Sequence, residues 1–206
     1  MNTEEVALRE IADSYLKGTK TLTQAGVSKT SGISVSAVNR LAKELNSLSI
    51  IDVGRREFKI MDFERLLVFW ATHRRLQRDI VYSTRVDMDI GKIEGSMPVG
   101  IAFTAFTDYK LIVGEPPADY SEVYVYSTEK ALDTIIGRFP PKKGIKNLFI
   151  IKTDRRLAGM IERKELKKDC VGIPQMFVDL WNIRAWYARE FTNRLIYRLR
   201  ENGILE

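Results

Sequence analysis

Ser36, Arg40, Lys43 and Ser47 recur every three or four residues, the spacing of one face of a helix. Short hydroxyls and long cations sharing a face are suited to base edges and phosphate oxygens. Ser34 stands where a helix cap would stand, and Asn39 flanks the face. Val38, Leu41, Ala42, Leu45 and Leu48 form an apolar stripe on the other side. Upstream, Leu22 to Ser31 reads as a shorter helix that Gly32 breaks, with Ile33 plugging the core. A positioning helix, a tight turn and a second helix is the arrangement that brings side chains into a DNA major groove. An ordinary helical hairpin with a solvated face would have a similar pattern.

Two short alternating segments follow, Ile50 to Val53 and Glu57 to Ile60, with Gly54-Arg55-Arg56 between them. The pattern predicts a hairpin with two cations at its tip. Such a tip can lie on the phosphate backbone or enter the minor groove. The candidate DNA-binding residues are therefore Ser34, Ser36, Asn39, Arg40 and Lys43 in the helix, and Arg55 and Arg56 in the hairpin.

Other constellations are weaker. Arg65, His73, Arg74, Arg75 and Arg78 would either extend the basic footprint or form a solvated basic face. Gly95-Ser96 with Asp108 suggests a nucleotidyltransferase site, but Lys110 stands where a second carboxylate should help to hold magnesium. Glu162 and Lys164 have nuclease-like spacing, with Asp154 the nearest partner carboxylate. An exposed charged stretch from Arg155 to Lys168 accounts for them better. Cys170 is the single cysteine and His73 the single histidine, so no cysteine or histidine metal site and no histidine-dependent triad is expected. No catalytic residue, metal or cofactor is assigned.

These residues need elements to carry them. The 206 residues are 45% apolar and 29% charged, enough for a core in one or two domains. The formal charge of +6 mildly favours a polyanionic partner. The longest apolar run, Leu66 to Ala71, falls far short of the roughly 18 residues of a membrane span. Glu4 and Glu5 stand where a leader would carry cations, so a cytoplasmic location is expected. Glu4 to Leu16 reads as a first helix, and Asp62 to Gln77 as a linker helix capped by Asp62. Strands are expected over Ile80 to Val86, Tyr109 to Val113, Val123 to Tyr126 and Leu148 to Lys152. Pro98 to Phe106 fits a strand or a buried helix. Thr128 to Phe139 is a helix, and Pro174 to Asn202 is helical with a break near Asn182.

The sequence also resembles a known family, the AbiEi-type antitoxins and related transcriptional regulators of type IV toxin–antitoxin systems. The likeness rests on Leu22 to Ile60, on the run from Gly100 to Phe106 followed by Val123 to Tyr126, and on Ile173 to Leu180, which is similar to a Pro-Gln…Asp-Leu helix. The resemblance implies a DNA-binding antitoxin that represses its own operon, with antitoxin activity in its C-terminal domain. It implies a separate nucleotidyltransferase-like toxin and no catalytic residues in this chain.

The expected architecture is α+β. A winged helix-turn-helix with its linker helix occupies residues 1–78, and an α/β domain with a small mixed sheet occupies 79–206. The expected function is sequence-specific binding of double-stranded DNA, as a repressor and antitoxin, with no membrane partner. The C-terminal domain is expected to engage a partner, a second copy or an effector. Most of the large apolar residues near the C-terminus, among them Trp181, Trp186, Tyr187 and Phe191, fill the core, and the rest offer material for a homodimer surface or a partner protein. The alternative is a nuclease or nucleotidyltransferase that a winged helix delivers to DNA.

Overall fold

The computed structural model describes residues 3–205, and these form a mixed α+β structure with two small sheets. They divide into two compact units. One runs up to Arg74 and takes back the chain from Ile196; the other is Arg75–Leu195. The division thus falls a few residues before Arg78, and the last stretch belongs with the N-terminal unit.

The N-terminal unit contains α1 (Thr3–Leu16), β1 (Thr21–Leu22), α2 (Gln24–Ser31), α3 (Val35–Ser47), β2 (Ile51–Val53), β3 (Phe58–Ile60) and α4 (Phe63–His73). Side-chain caps set the helix starts: Thr23 for α2, Ser34 for α3 and Asp62 for α4, each accepting from a backbone N–H three residues on. The strands form an antiparallel sheet in the order β1-β3-β2. Ile51 and Phe58 point inward with Val38, Leu41 and Leu45 of α3 and Leu66, Leu67 and Trp70 of α4, all nearly fully buried. Burial of this kind is the main stabilising term, at about 25 cal/mol per Å² of apolar surface.

Three details of this unit differ from the sequence expectation. Leu22 belongs to β1, where it pairs with Phe58, so α2 starts later, at Gln24. Leu48 leaves the apolar stripe as the C-cap of α3 and is 47% exposed. The linker helix stops at His73 because Arg74 turns to an extended conformation. Arg74 is wholly buried, with Nη1 donating to Glu5 Oε2 at 3.2 Å. It is not part of an exposed basic face, whereas Arg65, His73, Arg75 and Arg78 are exposed. The returning C-terminal chain belongs to this unit too: Arg200 donates to Glu64 at 2.7 Å, and Tyr15 Oη donates to Ile204 O at 3.3 Å.

The second unit contains α5 (Leu76–Asp79), β4 (Ile80–Thr84), α6 (Ile90–Gly95), β5 (Ile101–Thr104), α7 (Ala105–Ile112), β6 (Val123–Ser127), α8 (Glu129–Arg138), β7 (Leu148–Lys152), α9 (Arg155–Glu162) and α10 (Ile173–Asn182), followed by α11 (Ala188–Glu201), which ends beyond the unit's boundary. Its sheet is mixed, in the order β4-β7-β6-β5, with β6 and β7 parallel and the outer pairs antiparallel. The β6–α8–β7 crossover supplies the parallel pair. Every residue of β6 is buried, as expected of a strand covered on both faces. Val123, Val125, Leu148 and Ile150 meet Ile93 of α6 and Ala131 and Ile135 of α8. On the alternate positions, Tyr124 stacks on Phe149 and meets Phe106 of α7.

Pro98 to Phe106, which periodicity left open, divides between β5 and the start of α7. Ala105, at φ 53, makes the bend. Tyr109 to Val113, expected as a strand, lies in and just after α7. The β-rich composition yields to burial of Ala105, Phe106 and Tyr109 at helical spacing. The charged stretch from Arg155 contains the amphipathic helix α9, whose Leu157 and Ile161 are buried. No helix among the described residues is long and apolar enough to cross a membrane.

Candidate nucleic-acid interface

Gly32 makes the turn between α2 and α3. It sits at φ 75, where a side chain would be strained, and its N–H returns to Ser28 O at 2.9 Å. Ser28 Oγ donates to Ile33 O at 2.6 Å, and Ile33 is buried. Both sides of the turn are thus held before α3 begins.

The nominated residues of α3 divide by what they already do. Ser34 Oγ accepts from Ala37 N at 3.2 Å and lies 3.0 Å from Ser36 Oγ, so these two hydroxyls engage each other at the helix start. Asn39 is half-buried and donates to Gln24 Oε1 at 3.0 Å, which ties α3 to α2. Lys43 is exposed and makes no ion pair among the described residues. Arg40 is also exposed, its side chain 72% accessible, but its Nη2 donates to Glu4 Oε1 at 2.6 Å. That bridge is open to water, and a phosphate or guanine edge competes for the same guanidinium.

Arg55 and Arg56 are exposed in the β2–β3 connection. Gly54 N closes this tip by donating to Glu57 O at 2.8 Å. Asn46, in the last turn of α3, accepts at Oδ1 from Val53 N at 3.1 Å, immediately before the tip. One side chain therefore links the helix end to the hairpin. Sequence reasoning missed Asn46, Gln24 and Glu4, because each acts through a partner in another element, 7, 15 and 36 positions away, that only the fold brings near. The signal for Asn46 is only that an amide follows Lys43 by about one helical turn.

The catalytic constellations are arranged differently. Gly95 ends α6. Asp108 is fully buried, with Oδ2 accepting from Gly172 N at 3.1 Å, and burial pushes its carboxyl up to about 7. Lys110 pairs with Glu94 instead of facing a metal. Asp154 caps α9, accepting from Arg156 N and Leu157 N, each at 3.0 Å. Glu129, Asp154 and Glu162 border one crevice of about 700 Å³ beside the carboxyl ends of β6 and β7. Even so, no three His, Cys, Asp or Glu side chains among the described residues come together to hold a metal.

The aromatic surplus near the C-terminus also divides. Phe191 is fully buried and Tyr187 nearly so, with ring centroids 4.9 and 5.0 Å from Phe106. Trp181 and Trp186 are exposed. No family model, no curated protein and no solved structure matches the chain.

Proposed function

We propose that the chain is a DNA-binding transcription regulator of the repressor kind, reading double-stranded DNA with a winged helix-turn-helix. In this reading α2 is the positioning helix, α3 enters the major groove, and the β2–β3 hairpin is the wing. The observation that carries it is the Asn46–Val53 hydrogen bond of 3.1 Å. It ties the end of β2, immediately before the Arg55-Arg56 tip, to the last turn of the helix that exposes Ser36, Arg40 and Lys43, which supports one body offering both a groove reader and a backbone clamp. Arg40 exchanges Glu4 for DNA on binding, and Ser34 and Asn39 fix the helix more than they contact bases. Such a role places the chain in the cytoplasm.

The test is binding to duplex DNA from upstream of its gene, with a scrambled duplex as reference. Wild type should prefer the promoter. The double change Arg40→Ala/Lys43→Ala should remove that preference, each base-reading contact being worth about 1–3 kcal/mol. Equal affinity for both duplexes in the wild type overturns the reading. The likeness to AbiEi-type antitoxins extends it to a repressor of its own operon with a nucleotidyltransferase-like toxin as separate partner. Relief of toxin-induced growth arrest on co-expression tests that extension.

A second reading has one observation in its favour, the crevice at the carboxyl ends of the parallel strands, a place where α/β sheets bind ligands. Under it, the chain is a nuclease or nucleotidyltransferase with Asp154 and Glu162 in the site. Magnesium- or manganese-dependent cleavage of DNA, lost in Glu162→Ala, would establish that reading.

A further inference from the structure

A concave patch of about 590 Å³ lies between the end of α10 and the start of α11. Leu180, Ile183 and Ala185 are among the residues that line it. Trp186 stands beside them 79% exposed, and Trp181 is 48% exposed. Large aromatics left in water are uncommon away from binding surfaces, and tryptophan is the residue most enriched among interface anchors. The nearby cations have no partner: neither Arg184 nor Arg189 makes an ion pair among the described residues, and both are exposed. Glu190 is the only carboxylate between Leu180 and Arg194.

We infer that this patch docks an acidic segment of another protein, with a large apolar side chain inserted between the two tryptophans. Three features select that occupant. The lining is concave, with Leu180, Ile183 and Ala185 beside Trp181 and Trp186, which suits an inserted side chain better than the row of bases that a flat aromatic platform would stack. Arg189, which lines the patch, and the exposed Arg184 next to Ile183 in the chain complement carboxylates flanking such an anchor. A second copy of this chain on the same patch would bring two surfaces of the same positive surplus together, with Glu190 the only carboxylate near either, which opposes pairing. The inference does not depend on DNA binding by α3.

The test is selection from a phage-displayed library of random peptides on the full chain, followed by anisotropy measurements with the selected peptides. They should carry Asp or Glu around a Leu, Phe or Trp. Trp186→Ala and Arg189→Glu should each weaken binding by about tenfold or more, while circular dichroism and promoter binding stay unchanged. Both side chains are exposed, so neither change should unfold the protein. Binders without acidic residues, or an absence of binders that depend on Trp186, overturn the inference. So does saturable binding of oligothymidine that Trp186→Ala abolishes, which would assign the patch to single-stranded nucleic acid. A dimer seen by light scattering and dissolved by Trp186→Ala would assign it to a second copy.

Discussion

Arg40 and Glu4 form an exposed bridge of 2.6 Å between the helix proposed to read DNA and the first helix of its own unit. Exposed ion pairs contribute little to stability, about 0–1 kcal/mol, so this one serves better as a competitor than as a brace. Glu4→Gln should free the guanidinium and remove a carboxylate close to the DNA phosphates. DNA affinity should therefore rise several-fold with little change in melting temperature, as measured by anisotropy at fixed salt. Lower affinity in Glu4→Gln would mean that the bridge orients Arg40. Asp108 makes a different prediction. Burial raises its carboxyl from 3.8 to about 7, so the folded state holds the proton more tightly than the unfolded chain does. Its contribution to stability is fully present below about 3.8 and is lost as pH rises through about 7. Chemical unfolding of wild type across that window should show a term that falls with pH by up to about 1.4 kcal/mol per pH unit. Asp108→Asn should remove that term. An unchanged slope in the variant would assign the pH dependence to other groups.

The hairpin and α3 act together only if something fixes them, and Asn46 supplies that link. Arg55→Ala/Arg56→Ala should reduce the salt slope of promoter binding by about two units, one per lost phosphate contact. Asn46→Ala should lose part of that slope although no charge is removed, because the tip is no longer held. A wild-type slope in both variants would show that the hairpin stays off DNA. Most elements were legible in the sequence because caps and periodicity are local. Ser34, Asp62, Gly32 and the Gly54-Arg55-Arg56 tip each appear where residue type alone puts them. What was not legible depends on distant partners. Tyr109 to Val113 reads as a strand by composition, yet Ala105 at φ 53 turns the chain, and packing of Phe106 and Tyr109 makes it helical. The end of α4 at His73 follows from a buried ion pair with Glu5, a residue 69 positions earlier. The same logic hid Asn46 and the Glu4 competitor, whereas the polar face of α3 was readable from spacing alone.

At the scale of the molecule, the chain from Ile196 belongs with the N-terminal unit, so the proposed DNA-reading unit is not a simple N-terminal segment. A truncation at Arg74 would lack the Arg200–Glu64 bridge and the Tyr15–Ile204 hydrogen bond, and should be less stable than the full chain. Within that unit the Glu5–Arg74 pair is 5% and 0% exposed. Removing one member takes a cation away from a buried carboxylate, so Arg74→Ala should clearly destabilise the protein, whereas an apolar replacement of both should recover most of the loss. Urea unfolding of the two variants gives the comparison, and equal destabilisation would show that the pair itself is stabilising. The most direct measurement for the molecule is amide hydrogen exchange of the full chain with and without promoter DNA. Slowed exchange over residues 34–43 and 53–58 is the expected result. Slowed exchange confined to the crevice residues 128–134 and 153–162, with α3 and the hairpin unchanged, would contradict DNA reading by the N-terminal unit.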